Sequence, residues 1–92
     1  MSDFDPNAVE TENDSTAKVV LRYLAETLVD DRDEVEITSS KYRQRVSLHL
    51  SVAPDDMGKV IGRKGRTAQA IRTIVRAAGS RDGLDTFVEI VD

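Results

Sequence analysis

The chain has 92 residues, with 13 Lys and Arg against 17 Asp and Glu and a formal charge of -4, enough for one hydrophobic core and too few for two. It contains no cysteine, so disulfides and thiolate zinc sites are excluded as staples, helix-on-sheet packing must supply the stability, and a reducing compartment is the natural setting. No stretch approaches the roughly 20 apolar residues that span a bilayer, and residues 1–13 lack the basic and apolar regions of a secretory signal, so the sequence reads as cytoplasmic and not membrane-bound.

Charge is segregated along the chain. Residues 1–16 carry Asp3, Asp5, Glu10, Glu12 and Asp14 with no Lys or Arg and no apolar period, which predicts an acidic, disordered tail ahead of one domain over 17–92. Setting the tail aside leaves 12 carboxylates against 13 basic residues. From Ala17, the spacing of Val20, Leu21, Leu24 and Leu28 predicts an amphipathic helix, which the acidic run Asp30, Asp31, Asp33 and Glu34 ends. Val35 and Ile37 then alternate with polar residues as a short strand. A basic connection from Ser39 to Arg45 follows, whose Lys41, Tyr42, Arg43 and Arg45 offer a stacking ring and charge from the side, although Tyr42 reads better as an ordinary exposed loop residue. The alternation of Val46, Leu48, Leu50 and Val52 with Ser47, His49 and Ser51 is the clearest strand signal, one face buried and one wet.

Pro54, Asp55 and Asp56 have the character of a helix start, with the carboxylates as caps at the positive end of the dipole. Met57, Val60 and Ile61 supply the apolar side of a helix of about two turns that Gly62 ends. After the tetrapeptide Gly62-Arg63-Lys64-Gly65, a second helix is predicted to about Ala78, with Ala68, Ile71, Ile74, Val75 and Ala78 inward and Gly79 as its stop. Beyond a loop to Asp85, Thr86 to Val91 is a strand, with Val88 and Ile90 toward the helices and Phe87, Glu89 and Val91 away from them. Helix, strand, strand, helix, turn, helix, strand describes a two-layer α+β domain with three helices on one face of a three-stranded sheet.

Between Met57 and Arg81 the chain holds Lys59, Arg63, Lys64, Arg66, Arg72, Arg76 and Arg81 and no carboxylate. Local field, more than net charge, steers a polyanion. Two glycines around a basic pair let backbone N–H groups approach a phosphate closely. Catalytic classes fit poorly. A phosphate-binding loop of the GxxxxGK type needs Ser or Thr after its lysine, whereas Gly65 is followed by Arg66. The only histidine, His49, alternates outward on a strand with Ser47 and Ser51 as same-face neighbours and has no nucleophile to activate. No catalytic residue, metal cluster or cofactor motif is identified.

Val60-Ile61-Gly62-Arg63-Lys64-Gly65, followed by Ile71 and Ile74, resembles the signature of the KH domain, and the order of elements resembles its type II arrangement. More narrowly, the run from Val52 to Gly62 and the closing Val88-Glu89-Ile90-Val91-Asp92 look like the small bacterial single-KH proteins of the KhpA type. The resemblance implies a GxxG loop that contacts the nucleic-acid backbone over about four nucleotides. It implies single-stranded RNA as ligand, single-stranded DNA being equally compatible with these residues, in a groove between the two helices and the last strand. Gly62, Gly65 and the amides through Arg66 would meet phosphates, Arg63 and Lys64 would point outward from the turn, Lys59 and Arg66 would flank them, Arg72 would follow along the helix, and Ile61 would floor the groove. It further implies an RNA chaperone or post-transcriptional regulator acting as a homodimer, or as a heterodimer with a larger KH protein of the Jag (KhpB) type, through Phe87 and Val91 or through the second helix. The competing expectation is an assembly module with little nucleic-acid binding. The acidic leader would compete with nucleic acid for the basic face.

Overall fold

A computed structural model describes residues 15–91, and the acidic leader over 1–14 lies outside the described residues. Helix α1 spans Thr16–Leu28. It is followed by a 3-10 turn over Arg32–Glu34, strand β1 at Glu36–Tyr42, strand β2 at Arg45–Ser51 and a second 3-10 turn at Pro54–Asp56. Helix α2 at Met57–Ile61, helix α3 at Arg66–Arg81 and strand β3 at Asp85–Val91 complete the order. The α+β class and the α-β-β-α-α-β order of a type II KH fold are therefore observed.

Strand β2 is central, antiparallel to β1 and parallel to β3. The parallel pair requires a crossover, which α2 and α3 supply. Alternation along β2 sends Val46, Leu48 and Leu50 inward, where they meet Leu21 and Ala25 of α1, Val60 of α2, Ile71 and Val75 of α3 and Val88 of β3 in one core. The side chains of Leu21, Leu48, Leu50, Val60 and Val75 are fully buried, each worth roughly 1.5–3 kcal/mol of apolar burial.

Helix α1 starts where its sequence places a cap. The Ser15 side chain accepts from the Lys18 N–H at 3.2 Å, and the Thr16 N–H donates to Asp82 Oδ2 at 3.3 Å. The second contact ties the start of α1 to the residue just past α3.

Four expectations are corrected. The predicted connection from Ser39 is instead regular strand as far as Tyr42, and the hairpin closes over Arg43 and Gln44 alone, with Tyr42 opposite Arg45. Arg43 takes a left-handed φ of 58° there. No Asn-Gly or Asp-Gly pair marked the turn. Second, α3 does not stop at Gly79 but continues to Arg81. Gly79 is buried within the helix, and a Cβ there would collide with Thr86 Oγ1 and lie 2.9 Å from Thr86 Cβ and 3.6 Å from Ala17 Cβ. This glycine allows α3 to approach β3 and α1 closely. Third, Ile74, predicted inward, is 48% exposed.

Fourth, Asp56 does not cap α2. Its carboxylate is buried and accepts from the N–H groups of Asp30 (3.3 Å) and Asp31 (3.1 Å) and from Lys59 Nζ at 3.0 Å. It thereby pins the chain leaving α1 to the start of α2. The Asp31 N–H, then the Lys59 ammonium, hold the Asp56 carboxyl below its usual value of 3.8. Bonds to Asp30 and then Asp56 hold Lys59 above 10.5.

A Gly79→Ala substitution should destabilise the protein by about 1–2 kcal/mol, overpacking against Thr86 exceeding the gain in helix propensity, as read by chemical denaturation. For Asp56, a depressed folded pKa means stability that is fully present above the unfolded value and lost as pH falls through the folded one. Wild-type melting temperature should therefore drop on acidification below about pH 4, and Asp56→Asn should be less stable at neutral pH with a flatter acid limb. Parallel acid limbs in the two proteins would rule this role out.

Candidate nucleic-acid interface

The link between α2 and α3 is a tight turn built on three consecutive constraints. Gly62 ends α2 at φ 78°, ψ 174°, with its N–H bonded to the Gly58 carbonyl at 2.9 Å. A Cβ on Gly62 would fall on the Thr67 side chain and come within 2.9 Å of the Thr67 backbone nitrogen. The first turn of α3 is thus packed directly onto the glycine. Lys64 then adopts a left-handed conformation (φ 56°, ψ 26°), Gly65 follows at φ 74°, ψ 12°, and the Gly65 N–H closes the turn on the Gly62 carbonyl at 3.1 Å.

Gly65 is also the N-cap of α3, and no side chain caps the first turn there. The Arg66 N–H donates to the Arg63 carbonyl, and the start of α3 presents the positive end of its dipole. Arg63, Lys64 and Arg66 surround this end, all exposed, and none makes an ion pair among the described residues. Three free cations and an uncapped helix terminus occupy one corner of the molecule.

The other expected residues divide. Ile61 is half-buried, with part of its surface at the turn and part packed on the core, while Ala68 and Ile71 are buried and belong to the core. Arg72 is half-buried, and its Nε donates to the Val88 carbonyl at 3.3 Å, which aligns the guanidinium along the unpaired edge of β3. Lys59 stands apart. Its ammonium is bonded to Asp30 Oδ2 at 2.6 Å and to Asp56, so its charge is already neutralised beside the end of α1.

Thr67 was not singled out from the sequence. Its side chain fills the space that Gly62 leaves open, yet a threonine in the first turn of a helix looks like any local capping residue. Only the three-dimensional contact distinguishes it.

The family model described as "KhpA/KhpB, KH domain" matches residues 18–90. The chain belongs to the KhpA/KhpB KH-domain family. The RNA-binding protein KhpA of Clostridium acetobutylicum is 46% identical over 74 residues, covering 80% of this chain and 99% of that protein. The RNA-binding protein KhpA of Streptomyces coelicolor is 49% identical over 72 residues, covering 78% of this chain and 87% of its own length. Both relatives are named for binding and not for a reaction. Among solved structures, an Aquifex aeolicus Era variant bound to GDP and aluminium fluoride matches with a TM-score of 0.59 over 82% of this chain and 30% of the Era chain. At 15% identity that likeness concerns the fold alone. Among the described residues of this KhpA/KhpB-family chain, no helix is long and apolar enough to cross a membrane, and no group of His, Cys, Asp or Glu could hold a metal ion.

The left-handed Lys64 costs about 1 kcal/mol relative to glycine at the same φ, ψ. Lys64→Gly is therefore expected to leave stability unchanged or raise it by up to about 1 kcal/mol while weakening oligonucleotide binding, read by thermal melts beside fluorescence anisotropy. A clear loss of stability would mean that the lysine side chain, and not backbone geometry, holds the turn.

Proposed function

We propose that this protein binds single-stranded RNA across the GRKG turn, with phosphates received by the amides of Arg63 and Lys64, those of Gly62, Gly65 and Arg66 being bonded to the carbonyls of Gly58, Gly62 and Arg63, by the side chains of Arg63, Lys64, Arg66 and Arg72, and with Ile61 beneath the first base. The observation that carries this reading is the uncapped N-terminus of α3 set among three unpaired cations. A polyanion supplies the missing counter-charge and meets the positive end of the α3 dipole. The names of the relatives support RNA as that polyanion. Lys59 contributes less than its position beside the turn suggests, because Asp30 and Asp56 already hold it; it would act through long-range field or after exchanging partners.

A site that clamps about four nucleotides cannot define a transcript, so the proposed role is that of a cytoplasmic RNA chaperone or post-transcriptional regulator working in dimers. Ile74 on α3 and Val19 and Tyr23 on α1 are exposed by 48%, 57% and 69%. Exposed apolar side chains on the helical face are candidate contacts for a second copy or for a KhpB-type partner. Such contacts equally suit the competing reading, a pure assembly module.

The double substitution Arg63→Asp with Lys64→Asp separates the two. Both positions are exposed, so stability should change by less than about 0.5 kcal/mol. Wild-type affinity for a short labelled RNA should fall with salt at a log–log slope of roughly -2, from about three phosphates at about 0.7 each. The double variant should lose most of that binding. Unchanged affinity in a folded double variant would remove the groove reading, and absence of any salt-dependent binding by wild type would favour the assembly module.

A further inference from the structure

The open face of the sheet carries a second cluster that the GRKG turn does not account for. Strand register sets Tyr42, Arg45 and Asp85 in one row on that face, with Ser40, Ser47 and Phe87 in the next. Phe87 is 40% exposed. Two guanidinium groups lie over its ring, Arg45 at 5.0 Å and Arg76 at 5.9 Å from the centroid, and Arg43 lies over the Tyr42 ring at 5.3 Å. Arg76 reaches this face from α3 around β3, the edge strand of the sheet. Beside the cluster, Tyr42, Arg43, Gln44, Arg45 and Asp85 line an open depression of about 320 Å³.

The chemistry of this cluster suits nucleic acid better than protein. None of the three arginines forms an ion pair among the described residues. Of the two nearby carboxylates, Glu89 faces His49 at 3.6 Å, which leaves Asp85 alone against three cations. The apolar groups are not contiguous: Val91 lies two rows from Phe87, across the row of Thr38, His49 and Glu89, whereas protein-binding patches are usually continuous. Guanidinium planes over aromatic rings offer flat, cationic surfaces, and bases stack on such surfaces whatever their identity.

The cluster is also connected to the turn. Arg66, Arg72 and Arg76 step along α3, and ten residues of helix at about 1.5 Å each place Arg76 about 15 Å from the turn. Between them Arg72 sits over the β3 edge at the Val88 carbonyl.

Building on the RNA reading of the turn, we propose that the open sheet face at Phe87 is a stacking platform for the same RNA, taking bases that leave the groove over the β3 edge along Arg72 and Arg76. The platform should then matter only for an oligonucleotide longer than the groove. Anisotropy with the full chain and labelled oligouridylates of about four and about ten nucleotides tests this. Wild type should prefer the longer probe by about tenfold beyond what the number of binding registers gives. Phe87→Ala should bring that preference back to the register count while leaving the short probe's affinity unchanged. If Phe87→Ala fails to fold by circular dichroism, Arg45→Gln, at an exposed position, takes its place, with a smaller but same-signed loss.

The outcomes are separable. If neither probe binds wild type, the groove reading and the platform fall together. If the short probe binds and the longer one gains nothing beyond its registers, or gains as much in folded Phe87→Ala and Arg45→Gln, the platform alone is overturned. Substitutions that change self-association in sedimentation while leaving the length preference intact would likewise overturn it and assign the face to protein.

Discussion

The contact between Gly62 and Thr67 is the constraint on which the candidate interface depends. Because position 62 has no Cβ, the first turn of α3 can pack directly against the end of α2, and the chain between them is compressed into a turn of two left-handed residues, Lys64 and Gly65. That compression leaves the α3 terminus without a side-chain cap and forces the Arg63 and Lys64 side chains into solvent. In most helices an N-terminus is closed by Ser, Thr, Asp or Asn, as α1 is by Ser15. The same molecule thus has one helix terminus closed by a side chain and one that no side chain closes.

Charge pairing follows the same division. A chain with formal charge -4 has carboxylates to spare, yet none is spent on Arg63, Lys64, Arg66, Arg43, Arg45 or Arg76 among the described residues. Lys59, a cation that is neutralised, does structural work, joining Asp30 after α1 to Asp56 ahead of α2. The buried Asp56 carboxylate organises that junction, since the backbone donors of Asp30 and Asp31 and the Lys59 ammonium all converge on it. The cations the fold leaves unpaired are the ones to which the proposed RNA contacts are assigned, and those follow α3 from the turn to the β3 edge.

Both aromatic rings on the open sheet face, Tyr42 and Phe87, lie under arginines. Since β3 is an edge strand, a side chain from the helical layer can reach around it, and Arg76 does so. The helical face and the sheet face, separate in a simple two-layer description, are therefore joined electrostatically at that edge.

The sequence by itself determined the order of elements, the inward face of β2 and the position of the GRKG turn, because these depend on local periods and on residues such as glycine and proline whose backbone preferences act at short range. It also located the basic segment from Met57 to Arg81. Tertiary structure decided the rest. Gly79 read as a helix stop because helix-ending glycines are common, and only the approach of Thr86 and Ala17 shows that it is a contact glycine inside α3. Ile74 matched the helical period but lies on the flank of α3 turned away from the sheet, since the width of a buried stripe is set by the neighbouring elements. Lys59 was indistinguishable from Arg63 by composition, and Asp30, 29 residues away in sequence, pairs with its charge. A local pattern records what each residue prefers, but contacts between distant segments decide which charges are neutralised and which surfaces are covered, and those depend on where the whole chain places its elements.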